Sequence, residues 1–73
     1  MEIDAIEIGK CLRALRGDKS REEVATALNI SQSALAMYEQ GERVPRDPIK
    51  VRIANYYQKP IADIFFAHCT HQT

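Results

Sequence analysis

The most regular pattern of apolar and polar positions lies between Ser20 and Gly41. Apolar residues recur there at the spacing of one helical face, in two groups separated by residues 29–31. The first group is Val24, Ala25 and Leu28. The second is Leu35 and Tyr38, which face inward together with Ile30 of the turn. The pattern predicts two short helices joined by a tight turn, with Ile30 filling the corner between them.

Local start and stop signals fit the same two helices. Ser20 and Glu23 have the spacing of a capping box, in which each side chain bonds the other residue's backbone amide. Asn29 tolerates a left-handed backbone, so it can end the first helix, and Ser31 can cap the second. Gly41 supplies the left-handed stop that commonly ends a helix.

The flanking sequence predicts three further helices. Asp4 caps the first, with Glu7 in capping-box register, and Gly17 ends it. Its inner stripe is Ile8, Cys11, Leu12, Leu15. The two prolines after Gly41 predict an extended loop.

Asp47 is predicted to cap the fourth helix, with Pro48 at its first position. The inner stripe of this helix is Ile49, Ile53, Ala54, Tyr57. Lys59 and Pro60 open a short fifth helix. Its core residues are Ile61, Ile64, Phe65. The expected fold is therefore a compact all-α domain of five helices, with residues 1–73 as one domain and no linker to a second.

The two termini leave alternatives open. Met1–Asp4 alternates apolar and acidic residues, and Phe65–Thr70 is rich in aromatic and β-favouring types. This composition is compatible with three alternatives. The termini can pair as a small β-sheet, they can be helical, or they can be disordered, in particular residues 67–73.

Charge changes the picture through its distribution. Ten basic and ten acidic residues give zero net charge, which disfavours a non-specific nucleic-acid binder. However, bases outnumber acids on both sides of the two central helices, in residues 10–21 and 43–59. Local field steers a polyanion to a surface, so these flanks can bind one.

Other classes of function find little support. The sequence shows no catalytic arrangement, so we expect neither an enzyme nor a cofactor. No apolar run approaches the ~18 residues of a membrane span and the start does not resemble a signal peptide, which predicts a cytoplasmic protein. Cys11 is expected to be a buried free thiol. Residues His68, Cys69 and His71 could offer metal ligands, but a frayed terminus makes a poor site, so no metal is expected.

The central stretch resembles the phage-repressor and Cro type of helix-turn-helix, also called the xenobiotic-response-element family. The resemblance rests on Val24, Leu28, Ile30, Leu35 and Tyr38, together with Ala25 and the following E-Q-G-E-R-V-P, and it covers roughly Ile8 to Phe66. It implies a lambda-repressor-like all-α domain that binds double-stranded DNA.

Base contacts are expected near the start of the second central helix, because a helix in the major groove reads bases with its N-terminal side chains. The candidates, which the resemblance supports, are Gln32, Ser33 and Met37. Gln32 can pair with adenine, and Met37 can contact a thymine methyl. The alternatives are that these residues are solvated, or that Met37 belongs to a hydrophobic partner surface.

Phosphate contacts are expected from basic residues on either side of that helix. The stronger candidates are Arg21, Arg43 and Arg46, and the weaker are Lys19 and Lys50. The alternative is a solvated basic face.

The resemblance assigns scaffold and dimer roles to other residues. It implies that Glu39 forms a salt bridge with Arg16 instead of facing DNA. It also places a dimer surface near the fourth and fifth helices. The candidates there are Tyr56, Gln58, Lys59 and Phe66.

Together these features predict a sequence-specific transcriptional regulator, a repressor that acts as a homodimer on an inverted-repeat operator. One alternative is a DNA-binding antitoxin or accessory factor whose main partner is another protein. A second is an interaction module without DNA binding, which would explain the zero net charge most simply.

Overall fold

A computed structural model of the chain describes residues 4–65, and these form five helices without a strand. The helices are α1 (Ala5–Arg16), α2 (Arg21–Leu28), α3 (Gln32–Gln40), α4 (Asp47–Tyr57) and α5 (Ile61–Phe65). The predicted five-helix architecture is confirmed. The predicted β pairing falls almost entirely on residues outside the described range.

The first three helices begin at the predicted caps. The side chains of Asp4, Ser20 and Ser31 each accept a hydrogen bond from the amide three residues later, at 2.9, 3.0 and 3.0 Å. Such a cap satisfies an amide that has no partner within the helix and contributes about 1 kcal/mol. The boundaries of α1, α2 and α3 are thus set by short polar side chains.

The same helices end where a residue leaves the right-handed backbone region. Asn29 is left-handed with φ 60° and ψ 44°, and Gly41 has φ 80° and ψ 16°. Gly17 ends α1 with φ 56°. Gln58 ends α4 in the same left-handed way, with φ 56° and ψ 48°. The glutamine stop was not predicted, because glutamine carries no strong local signal for this conformation.

The predicted start of α4 is wrong by one residue. Arg46 is the N-cap and makes no side-chain cap hydrogen bond, while Asp47 is already helical. The first backbone bond of the helix runs from the Lys50 amide to the Arg46 carbonyl at 2.9 Å. The Asp47 carboxylate lies 3.7 Å from Lys50 Nζ instead of bonding an amide.

One hydrophobic core unites the five helices. α1 packs mainly against α3, α2 packs against α3 and α4, and α5 covers α1 and α4. The buried apolar residues are Ile8, Cys11, Leu12, Val24, Ala25, Leu28, Leu35, Tyr38, Ile53, Ala54, Ile64 and Phe65. Ile30 is half-buried against this core, as expected for the corner of the turn.

The prediction of a free thiol at Cys11 is wrong. Cys11 is buried as expected, but it is disulfide-bonded. The other cysteine of the chain, Cys69, lies outside the described residues, as do His68 and His71. Spacing along the chain could not reveal the bond, because a disulfide requires proximity in the fold and not in the sequence.

No helix within residues 4–65 combines the length and the apolar character that crossing a membrane requires.

Gly9 marks the closest approach of α1 to α3. A Cβ at this position would lie 2.8 Å from the Tyr38 carbonyl oxygen and still closer to that of Glu39. Both obstacles are backbone atoms, so neither can rotate away. The contact between the two helices therefore requires glycine at residue 9.

We expect Gly9→Ala to destabilise the domain by about 2 kcal/mol or more, because overpacking outweighs the higher helix propensity of alanine. Chemical denaturation measures the free energy of unfolding. Lys10→Ala, at the exposed neighbouring position, is the control and should change stability by no more than about 0.5 kcal/mol. A stabilised Gly9→Ala variant would contradict the close approach.

Candidate nucleic-acid interface

The second helix of the central pair, α3, presents one side to the core and the other to solvent. Leu35 and Tyr38 are buried, as predicted. The residues that remain on the outer face of α3 are Gln32, Ser33, Ala36, Met37 and Gln40. Gln32, Ser33 and Gln40 are exposed, and Ala36 and Met37 are half-buried. The three predicted base-contacting residues therefore lie together on one side of one helix.

Glu39, the charged residue of α3, is buried and paired. Only 1% of its side chain is exposed. Arg16 Nε lies 2.7 Å from Glu39 Oε2, and Arg16 Nη2 lies 3.2 Å from Oε1. This is the ion pair that the resemblance implies, in the two-point geometry that makes guanidinium–carboxylate bonds strong. The carboxylate thus faces α1 and not solvent.

A second arginine shares the same carboxylate. Arg21 Nε lies 3.2 Å from Glu39 Oε1, and 40% of the Arg21 side chain remains exposed. Arg21 was predicted to contact phosphate, and its bond to Glu39 was not predicted. No local signal could have indicated it, because residues 21 and 39 belong to different helices. Arg21 is therefore held at one edge of its guanidinium and open at the other.

Arg16 also fixes the connection between α1 and α2. Its Nη1 donates to the Lys19 carbonyl at 2.8 Å. The hydrogen bond with Glu39 raises the pKa of Arg16 above its ordinary value, against the opposing effect of desolvation. One guanidinium thus ties α1, the turn before α2, and α3 together.

The loop after α3 carries the other two strong phosphate candidates. Arg43 and Arg46 are exposed, and the fully buried Pro45 anchors the loop between them. The Glu42 amide donates to the Met37 carbonyl at 2.9 Å, which ties the start of the loop to α3. Both arginines lie on a segment connected directly to the end of α3.

Lys50 does not fit its predicted phosphate-contacting role. Only 8% of its side chain is exposed, and its ammonium lies 5.5 Å from the centre of the Phe65 ring. Asp47 lies 3.7 Å from the same ammonium. A lysine enclosed in this way cannot extend to a phosphate, so Lys50 belongs to the packing of α4 on α5.

Lys19, the other weak phosphate candidate, is exposed but contacts an aromatic ring. Its Nζ donates to Tyr56 Oη at 3.3 Å and lies 4.9 Å from the centre of the ring. Tyr56 in turn packs edge to face against Tyr57, with 4.9 Å between ring centres. The contacts with Lys19 and Tyr57 therefore account for the half-burial of Tyr56. Two other predicted dimer residues, Gln58 and Lys59, are exposed, and Phe66 lies outside the described residues.

No group of three or more histidine, cysteine, aspartate or glutamate side chains within residues 4–65 could hold a metal ion.

Glu39→Gln is expected to destabilise the domain by roughly 3 kcal/mol, because Arg16, whose side chain is only 17% exposed, would lose the charge that balances it. Thermal or chemical unfolding tests this. Glu42→Gln is the matched control: the same change at an exposed position should be worth no more than about 0.5 kcal/mol. Equal stability of the two variants would exclude a scaffold role for Glu39.

Burial also affects Tyr57. Burial, reinforced by the nearby Tyr56 and Glu39, raises the pKa of Tyr57 from 10.0 to about 12, against an opposing effect of Arg16. The unfolded chain therefore releases this proton at lower pH than the folded chain, so the stability linked to it is complete below pH 10 and is lost as the pH rises to about 12.

Tyr57→Phe should remove this part of the alkaline destabilisation. The difference in unfolding free energy between the native protein and the variant should be constant below pH 9 and move in favour of the variant between about pH 10 and 12. Urea titrations at several pH values measure it. A difference that does not change with pH would show that Tyr57 titrates normally.

Comparison with protein families identifies the family to which this arrangement of helices belongs. A family model described as "Helix-turn-helix domain" matches residues 7–64. Comparisons with curated proteins and with solved structures gave no significant match. The family match does not distinguish the narrower phage-repressor and Cro type, which stays a prediction. With two capped helices joined at Asn29 and a match over most of its length, the chain belongs to the helix-turn-helix domain family, which indicates a DNA-binding regulator.

Proposed function

We propose that this protein is a sequence-specific regulator of transcription that binds double-stranded DNA as a homodimer and represses from an inverted-repeat operator. The observation that carries the proposal is the placement of the outer face of α3. This face is uncharged and polar at its N-terminal end, and exposed arginines flank it in the loop that follows. Binding of DNA without catalysis is the activity that such a surface supports.

Gln32 and Ser33 support insertion of α3 into a major groove. They occupy the first two positions of the helix and are exposed, while Ser31 is used in capping. Side chains at the N-terminal end of a recognition helix contact base edges in this motif. Met37, one turn later and half-buried, is the third proposed base contact.

Arg21, Arg43 and Arg46 are the proposed phosphate contacts. The exposed edge of Arg21 lies at the N-terminus of α2, where helix amides also favour an anion. Arg43 and Arg46 are exposed in the loop after α3. Lys19 can add a weaker contact if its ammonium leaves Tyr56. Because phosphate contacts are independent of sequence, these residues set register and affinity.

The homodimer part of the proposal rests on symmetry. Two recognition helices that enter successive major grooves lie about 34 Å apart, and two-fold symmetry of the dimer requires an inverted repeat. The proposed dimer surface comprises Tyr56, Gln58, Lys59 and Phe66. Sedimentation of the protein with a duplex carrying one or two half-sites tests the stoichiometry, and a single bound copy on both duplexes would contradict the dimer.

A protein partner is the second candidate function. Zero net charge favours it, and so do the exposed apolar side chains of Ile6, Val44 and Val51 within residues 4–65. An antitoxin or accessory factor would combine such a contact with DNA binding, whereas an interaction module would not bind DNA. Salt dependence separates the module from the other two, because release of counterions makes every phosphate-binding protein lose affinity as salt rises.

Arg46→Ala should weaken binding to all duplexes by a similar factor and reduce the slope of log affinity against log salt by about one. The cause is loss of one phosphate contact, which carries no information about sequence. Fluorescence anisotropy with a random duplex from low to high salt measures both quantities.

Lys10→Ala is the control for this measurement. It removes the same charge from an exposed position in α1, where Glu7 lies 3.8 Å from the ammonium. Its salt slope should remain close to that of the native protein. Native binding that does not respond to salt would refute DNA binding altogether, and an unchanged slope in Arg46→Ala would refute the contact from Arg46.

A further inference from the structure

The outer face of α3 bears no formal charge. Glu39 is the charged residue among the nine of this helix, and its carboxylate is buried against Arg16 and Arg21. The side chains left on the outer face are two amides, a hydroxyl, a methyl and a thioether: Gln32, Gln40, Ser33, Ala36, Met37. A helix with only these side chains can make fewer kinds of contact with bases than a helix that also exposes charged residues.

Side-chain chemistry relates this set to particular bases. Guanine presents two acceptors, N7 and O6, in the major groove, and arginine or lysine is its usual partner. Cytosine presents a donor there, and aspartate or glutamate accepts from it. The outer face of α3 offers none of these four residue types. The strongest side-chain contacts to G·C pairs are therefore missing from the helix.

The amide of Gln32 matches adenine. Adenine presents an acceptor at N7 and a donor at N6, so an amide can donate to the first and accept from the second at once. With guanine the amide can only donate, because both major-groove atoms of guanine are acceptors. Gln32 is exposed at the first position of α3, where a side chain can reach a base edge.

Ala36 and Met37 match thymine. Both are half-buried, yet neither belongs to the partly buried apolar residues that pack on the core within residues 4–65. Their apolar surface is thus available to another molecule. The thymine C5-methyl group is the apolar feature of the major groove, and cytosine lacks it.

Nearby cations do not alter this assignment. Arg16 is held by Glu39 and by the Lys19 carbonyl. Arg21 is held by Glu39 at its Nε, and the proposed function assigns its exposed part to phosphate. Arg43 and Arg46 lie beyond the C-terminal end of α3, whereas base edges are read from its N-terminal end. None of these four arginines is therefore assigned to a guanine.

We propose that α3 reads A·T pairs: Gln32 recognises an adenine, and Ala36 with Met37 recognises a thymine methyl in the same half-site. This inference rests on the proposed DNA binding and specifies its ligand. Ser33 adds a hydrogen bond that either kind of pair can accept.

Selection from a randomised duplex pool with the full chain identifies the bound half-site. The selected duplex is then altered one atom group at a time, with 7-deazaadenine to remove the adenine N7 and uracil to remove the thymine methyl. We expect a loss of about fivefold for the lost hydrogen bond. For the lost methyl group the expected loss is about fourfold. Both changes act on the DNA, so folding of a variant is not an issue.

Protein variants assign each effect to a side chain. Gln32→Ala should lose sensitivity to 7-deazaadenine while it retains sensitivity to uracil, and Met37→Ala should show the reverse. Gln40→Ala is the matched control at the other end of α3 and should keep both sensitivities. Circular dichroism checks that each variant is folded.

The outcomes separate this inference from the proposed function. Salt-dependent binding with selected A·T pairs and the two specific losses would support both. Salt-dependent binding with selected G·C pairs, or with losses unchanged in Gln32→Ala and Met37→Ala, would overturn the A·T assignment and leave DNA binding intact. Absence of binding to any duplex at low salt would overturn the proposed function and this inference with it.

Discussion

The carboxylate of Glu39 imposes the constraint on which the rest of this structure depends. A charge buried to this extent is stable only if it is paired and hydrogen-bonded, and here Arg16 and Arg21 supply both. Because the three residues belong to α3, α1 and α2, satisfying one charge fixes the relative positions of three helices. The Arg16 bond to the Lys19 carbonyl extends this arrangement to the turn between α1 and α2. Gly9 permits it sterically, since α1 and α3 touch backbone to backbone.

This pairing also determines what α3 can present to a ligand. With its carboxylate turned inward, the helix has an outer face without charge, which repels neither phosphate nor a neutral base edge. The exposed part of Arg21 on one side and Arg43 with Arg46 on the other concentrate the positive charge around that face. Zero net charge of the whole chain does not prevent a local excess of positive charge, because residues 10–21 and 43–59 each hold more basic than acidic residues.

Features that depend on neighbouring residues were predictable from the sequence, whereas contacts between residues distant in the chain were not. Caps at Asp4, Ser20 and Ser31 and the stop at Asn29 were predicted correctly, because each depends on atoms within a few residues. The start of α4 was misplaced by one residue, because Arg46 occupies the cap position without a side-chain cap hydrogen bond. Other errors involved partners distant in sequence. Lys50, a predicted phosphate contact, is buried against Phe65, and the spacing of the cysteines gave no indication that Cys11 is disulfide-bonded.

Five helices, the caps of α1, α2 and α3, and the apolar stripes could be predicted from the sequence alone, because helical periodicity and capping are local properties of the chain. The resemblance to a known family added the pairing of Arg16 with Glu39. Three further features depend on how the helices pack: Arg21 shares the Glu39 carboxylate, Lys19 contacts Tyr56, and Lys50 is buried. These facts concern which of several basic side chains remains free to meet a polyanion. The physical reason is that the sequence does not reveal whether a long cationic side chain lies against a ring, pairs with a carboxylate or extends into water. Its environment depends on how distant parts of the chain pack.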